Sequence, residues 1–178
     1  VATNVSQLFT RELAYDQLAF FIEQSSRYVR FDTKTMFLDE DVIHSEHRHT
    51  YAETLANIAD AYQKFTDLTI AHFKKQTSFE SWLKLQDEKT KNSSPAIQKK
   101  KYEREIRGKA LDISRFLLPQ AALTNVAWIL DARSTEFDIS AWKGHPLNEI
   151  RSNAELIEKH AGMIAPSLLR YTEKNPYY

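Results

Sequence analysis

Tyr51, Leu55, Ile58, Tyr62, Phe65, Thr69 and Phe73 recur at spacings of three and four. One apolar stripe therefore runs along about six turns of helix, and the rest of the fold has to cover it. The other segments are shorter and mixed. Residues 5–24 carry Val5, Leu8, Phe9, Leu13, Leu18 and Phe21 near a 3.6 period, which predicts a second helix. Residues 26–38 alternate and are rich in β-branched and aromatic types, which predicts a strand, and polar Asp39–Ser45 reads as a loop. Residues 107–118, 133–143 and 147–160 read as helices, the first stopping at Pro119 and the last two parted by Gly144-His145-Pro146. Asn125–Ala132 fits a buried strand or a helical turn equally well. The fold class is α+β, dominated by helix.

Residues 76–105 stand apart. Lys89–Ser94 is polar, Pro95 interrupts the helical pattern and Lys99-Lys100-Lys101 is a charge run, so this stretch reads as an exposed insertion with helical pieces. With 178 residues the chain suits one domain, and a domain of that size buries roughly 70% of its unfolded surface without staples. It opens Val-Ala-Thr-Asn-Val, without an initiator methionine or signal-like core, and is expected to begin inside a longer protein.

Composition removes several chemistries. There is no cysteine, hence no disulfide framework, thiolate metal site or cysteine nucleophile, which fits a cytoplasmic location. Only Gly108, Gly144 and Gly162 are glycines, so neither a P-loop nor a Rossmann fingerprint can be drawn. Any phosphate has to be held by side chains or a helix N-terminus. The 24 basic and 24 acidic residues cancel, which argues against nucleic acid or an acidic membrane as partner. The longest apolar runs, such as Val126–Leu130, fall far short of the ~20 residues that span a bilayer.

Within those limits a few residues could carry chemistry. Ser25, Ser26 and Arg27 combine two hydroxyls with a guanidinium where an element ends, the parts needed to hold a phosphate without glycine. A polar element end with an arginine in a surface ion pair fits the same residues. Glu23 beside them could accept a hydrogen bond from a base or sugar. Arg115, set among Leu111, Leu117, Leu118 and Pro119, either snorkels or is pinned to a buried anion, and Arg133 after Val126–Leu130 allows the same two readings. His44, His47 and His49 do not fall on one helix face, so they read as a solvated helix entry rather than a metal site. The Lys99–Lys101 run lacks interleaved aromatics and reads as solvated.

Four elements in register resemble the flavin-dependent thymidylate synthases. These are Glu23-Gln-Ser-Ser-Arg-Tyr28, Arg115-Phe-Leu-Leu-Pro119, Asp131-Ala-Arg133 and Glu149-Ile-Arg151. Their order agrees with the family over about residues 6–172, apart from the insertion, and the phrasing of Leu111–Asn125 is most similar to long members with two such domains in tandem. The resemblance implies a helix-dominated α+β fold with a small central sheet, and 1–178 as one N-terminally incomplete domain of that kind. It implies conversion of dUMP to dTMP, with FAD as cofactor, NADPH as reductant and methylenetetrahydrofolate as one-carbon donor. It places Glu23, Ser25, Ser26, Arg27 and Arg115 around dUMP, and Asp16, Gln17, Asp131 and Arg133 toward FAD. It assigns no catalytic side chain, because the cofactor carries the chemistry and the protein orients.

The flavin side departs from the family. Counting back from Ser25, its Arg-His-Arg positions hold Tyr15, Asp16 and Gln17, its Asn-Ala-Arg begins with Asp131, and a later arginine falls at Trp142-Lys143. The family's active site is assembled between subunits of a tetramer. A homo-oligomer or a second tandem domain is therefore expected, with the 5–24 helix at the contact. A non-catalytic domain that supports assembly or binds a nucleotide is the alternative.

Overall fold

The computed structural model describes residues 1–15, 18–34 and 36–177. These form two compact units, Val1–Gln24 with Met36–Glu53 and Gln120–Tyr178, and Ser25–Thr35 with Thr54–Pro119. The elements in chain order are β1 (Ala2–Ser6), α1 (Gln7–Leu13), β2 (Phe20–Glu23), α2 (Glu40–Ile43) and α3 (Arg48–Gln76). They continue with α4 (Phe79–Lys84), α5 (Glu88–Lys91), α6 (Pro95–Ser114), a 3-10 turn (Arg115–Leu117), β3 (Leu123–Ile129), α7 (Ala132–Trp142) and α8 (Asn148–Ile164).

The first unit is built on an antiparallel sheet in the order β1-β3-β2. Asn125 in the central strand ties both edges, accepting from the Asn4 N–H at 3.1 Å and donating to Gln24 Oε1 at 2.8 Å. Asn4 itself sits at φ 57°, where the β1–β3 register shifts. Asparagine is among the few side chains that occupy this left-handed region at low cost. The core gathers Val5, Phe9, Leu13, Val126, Trp142, Ile150 and Ala154 from the sheet, α1, α7 and α8.

A helix over 5–24 does not form. Ser6 ends β1 and caps α1, its Oγ accepting from the Phe9 N–H at 3.0 Å, and α1 stops after Leu13. The β-branched and aromatic run Phe20-Phe21-Ile22 then pairs with Ala127–Ile129 as β2. The strong local match at 5, 8, 9 and 13 does not extend across the strand formers beyond it. With no 5–24 helix, the contact expected of it is not a helix face; the exposed apolar side chains of this stretch include Tyr15, Leu18 and, on β2, Phe20 and Ile22 at 77% and 78% accessible.

In the second unit Tyr62, fully buried on α3, lets its hydroxyl accept from the Phe31 N–H at 3.2 Å. Arg30 reaches Gln63 Oε1 at 2.6 Å, the Gln63 carbonyl at 3.0 Å and Asp67 at 2.6 Å, while Gln63 donates back to the Phe31 carbonyl and Thr33. Side chains of α3 thus meet both backbone groups of Phe31, and among the described residues the strand expected over 26–38 leaves one isolated bridge, Met36 to Ala122, in the first unit. Asp39–Ser45 is not all loop, since Asp39 caps the short helix α2.

Residues 76–105 pack rather than wave in solvent. Trp82, Tyr102 and Ile106 form a buried cluster with Ile70, Phe73, Phe79 and Leu83 around it, and the Tyr102 hydroxyl donates to the Thr77 carbonyl at 2.7 Å. Pro95 does not break the helix there. It opens α6 from its first turn, where the missing N–H has no helical partner to lose. Gln98 gathers the carbonyls of Thr90, Lys91 and Ser93 through one amide, closing α5 onto α6.

Asn125–Ala132 resolves as strand β3 through Ile129, followed by the start of α7. Among the described residues no helix is long and apolar enough to cross a membrane.

Candidate functional site

In the second unit the Ser25 carbonyl accepts from the N–H groups of Tyr28 at 3.3 Å and Val29 at 3.0 Å, and its Oγ accepts from the Arg27 N–H at 3.3 Å. This folds residues 25–29 into one turn with half-buried Ser25 and Ser26 and an exposed Arg27. Arg27 grips Asp112 with two prongs, Nε to Oδ1 at 2.6 Å and a terminal nitrogen to Oδ2 at 3.2 Å, and its guanidinium lies 5.9 Å from the Tyr28 ring centroid. The pair holds the Asp112 carboxyl below the usual carboxylate range, chiefly through the Arg27 hydrogen bonds and then through the charges of Arg27 and Arg115. It also raises Arg27.

Arg115 follows Asp112 by three residues, the spacing that puts two side chains on one helix face. It is exposed on the 3-10 turn, not within a continuous 107–118 helix, and the carboxylate it feels, Asp112, is itself 41% exposed. The alternatives of a snorkelling or buried-anion arginine are both replaced by a surface cation beside a shared carboxylate. Arg27 does form a surface ion pair. Its fork uses two donors on Asp112 and leaves others free to meet an anion.

Glu23 belongs to the first unit, at the end of β2, where a carboxylate oxygen accepts from Thr10 Oγ1 at 3.3 Å. Asp131 is the N-cap of α7, accepting from the N–H groups of Arg133 at 2.9 Å and Ser134 at 3.0 Å, and the Ser134 bonds hold its carboxyl below the usual range. An aspartate caps as well as an asparagine, so the exchange at this position keeps the helix start. Asp16 and Gln17 lie outside the described residues.

Arg133, Tyr15, Phe137, Trp142 and His145 line a cleft of about 860 Å³ in the first unit, together with the carboxyl-bearing Glu12 and Asp138. Trp142 is 7% exposed and packs on Phe9 with ring centroids 6.2 Å apart. Lys143 is tied to Glu158 at 2.7 Å. The family's later arginine is therefore replaced by a core ring and a committed lysine. Arg133 and His145 share the lining of this cleft with two carboxyl-bearing residues, a mixed set that does not fit the pyrophosphate of FAD. Among the described residues no cluster of three or more His, Asp or Glu is gathered for a metal.

The fourth element is structural. Glu149 is 7% exposed, and its carboxylate accepts the Ser6 N–H at 2.7 Å and the Ser6 hydroxyl at 2.5 Å. Burial pushes its carboxyl upward, with the Ser6 bonds opposing. Arg151 donates to the carbonyls of His145 at 2.8 Å and Pro146 at 2.5 Å, clamping the turn before α8.

The family pattern of the "thymidylate synthase complementing protein" matches residues 1–167. The chain belongs to that family. Two curated relatives are UPF0159 proteins, one from Chlamydia muridarum at 25% identity over 88% of this chain, the other from Chlamydia pneumoniae at 30% over 73%. The chain spans only about a quarter of their length, 28% and 23%. Among solved structures a UMP/dUMP methylase, PolB, from Streptomyces cacaoi, bound with 5-Br dUMP, is similar in fold. Its TM-score is 0.57 at 12% identity, covering 90% of this chain and 63% of that one. The helix-dominated architecture with a small antiparallel sheet is that of the thymidylate synthase complementing family.

Sequence reasoning passed over Asp112, the carboxylate that orders Arg27 and stands beside Arg115. The signal for it was the three-residue spacing to Arg115 on a helix face.

Proposed function

We propose that this chain supplies the nucleotide-holding part of a thymidylate synthase that converts dUMP to dTMP. NADPH is the reductant and methylenetetrahydrofolate the one-carbon donor, and FAD is held mainly by another domain or a second copy. Membership of the thymidylate synthase complementing family supports the reaction class. The single observation that carries the nucleotide role is the grouping of Arg27 and Arg115 about Asp112, with the Ser25 hydroxyl in the Arg27 turn. In this reading Arg27 and Arg115 receive the phosphate, Asp112 orients the Arg27 fork, and Ser25 and Ser26 add hydroxyl donors. FAD held elsewhere would supply the redox chemistry, and this chain's residues bind and orient the nucleotide.

A second reading, a non-catalytic domain that binds a nucleotide or supports assembly, draws on the burial of Trp142 and on Lys143 being occupied by Glu158. Calorimetry with dUMP tests what the two share. Arg115→Lys should weaken binding on the order of tenfold, because a point charge cannot reproduce a planar fork, and leave the melting temperature unchanged. Unaltered dUMP affinity in that variant and in Arg27→Ala would sink the nucleotide assignment.

A further inference from the structure

Residues 76–105 do more than add a satellite core. With α6 and the Arg27 turn they line a cleft of about 750 Å³ in the second unit, with Gln86, Thr90, Arg27 and Tyr28 among its lining residues. Arg27, Lys101, Arg104, Arg107 and Lys109 line it, against the carboxylates of Glu105 and Asp112. Both carboxylates are already engaged, Glu105 by Lys109 at 2.8 Å and Trp82 Nε1 at 2.7 Å, and Asp112 by Arg27. Lys101 donates to Thr90 Oγ1 at 2.8 Å. Among the described residues the guanidinium groups of Arg104 and Arg107 meet no carboxylate.

Gly108 gives an independent pointer. It stands inside α6, where glycine costs roughly 1 kcal/mol against alanine, yet its backbone needs no left-handed angle. A Cβ built there would meet nothing within 4 Å, so no packing in this chain demands its absence. What a side chain would take away is room over the helix backbone in the cleft. Lys101, Arg104, Gly108 and Asp112 follow spacings of three and four, one face of α6. Along that face Gly108 lies about 6 Å, and Arg104 about 12 Å, from the level of Asp112 and its partner Arg27. A phosphate chain carrying a sugar is long enough to run from one level to the other.

We propose that this cleft binds a nucleoside di- or triphosphate, its phosphate chain lying over Gly108 between Arg27 and the Arg104–Arg107 pair. Planar guanidinium forks match phosphate oxygens two at a time, as they do carboxylates, so the test below sets a carboxylate chain against the phosphate chain. The bounded size of the cleft and the zero net charge of the chain favour a small molecule over nucleic acid. The proposal rests on the nucleotide reading above for the base alone, since the phosphate chain is argued from α6.

Calorimetry on the whole chain with tripolyphosphate, dUMP and dUTP tests it. Tripolyphosphate should bind, and dUTP should bind on the order of tenfold tighter than dUMP. Gly108→Leu should weaken tripolyphosphate at least about tenfold while melting no lower than the parent, because leucine is the better helix former. The Arg104→Gln/Arg107→Gln double variant should lose binding to a similar extent. Equal affinity for dUMP and dUTP, or unchanged tripolyphosphate binding by Gly108→Leu, overturns the proposal. So does tighter binding of triglutamate or of a single-stranded oligonucleotide than of dUTP. Tripolyphosphate binding that Gly108→Leu removes, without any dUMP binding, would remove the thymidylate synthase reading and leave the phosphate cleft standing. Binding of dUMP that needs Arg115, without preference for dUTP, would do the reverse.

Discussion

The two units treat the family's functional positions in opposite ways. In the first, positions tied to the flavin have been absorbed by structure. Trp142 is a core ring on Phe9, Lys143 pairs with Glu158, and Asp131 caps α7. In the second, Arg27 and Arg115 stand exposed around one exposed carboxylate, beside further cations that meet no carboxylate. Exposed ion pairs add little to stability, so packing gives no reason for such a grouping. A side chain absorbed into a core is held there by stability, whereas the proposed nucleotide role would account for cations left in solvent around a carboxylate. The same family motif can therefore persist for two unrelated reasons within one chain.

Substitutions can break that contrast, and the largest effect belongs to the first unit. Trp142→Ala should cost about 3–5 kcal/mol in denaturant unfolding, since it empties a buried aromatic site. A loss below about 1 kcal/mol would show that the ring is not structural and return the position to ligand binding.

Next comes Glu149→Ala, at about 1–3 kcal/mol, because the buried Ser6 N–H is left without an acceptor. Its pH signature sharpens the point. Burial raises the folded carboxyl above its unfolded value, so the folded state holds the proton more tightly. This group therefore adds stability as pH falls from the raised folded value toward the ordinary glutamate range, and its contribution is withdrawn as pH rises back. Asp112, held low by Arg27, works in the other direction: its contribution is present above the ordinary aspartate range and lost as pH falls through its depressed folded value. Melting curves across the acidic range should show Glu149→Ala losing the first slope. An unchanged pH profile would mean that Glu149 is solvated.

The smallest effect is expected from Arg27→Ala. Its melting temperature at neutral pH should match the parent's, because both partners of its ion pair are exposed. A substantial drop would make Arg27 a structural residue like those of the first unit, and the contrast would collapse.

The long helix was legible because its stripe is strong. Leu55, Tyr62 and Thr69 are buried as the spacing required, although Phe65 turns out to be 39% exposed, as Thr66 takes its place inward. β3 was legible only as an ambiguity, since a short apolar run fits strand and helix alike. The 5–24 segment misled because Ser6, one residue inside an apparently periodic run, ends a strand and caps a helix at once. The 26–38 alternation misled for a different cause: both backbone groups of Phe31 are met by the Tyr62 and Gln63 side chains of α3 rather than by a neighbouring strand. At the candidate site, residue types and order singled out Ser25, Arg27 and Arg115 as expectations. Their common carboxylate was hidden because Asp112 and Arg27 lie 85 residues apart, a distance that no local pattern spans.

The bond between Ser6 and Glu149 also bears on how this chain emerges from the ribosome. Ser6 starts α1 and holds the end of β1, yet its acceptor lies 143 residues later. β1 must likewise wait for β3. The usual order, in which the amino-terminal part settles first during translation, is closed to the first unit. Most of the second unit is the unbroken stretch Thr54–Pro119, which can consolidate while the sheet still lacks its central strand. During synthesis β1 and β2 must therefore stay unpaired until β3 has been made, and Ser6 waits longer still, for Glu149 at the start of α8. That interval is when this protein is most exposed to aggregation and has most to gain from a chaperone.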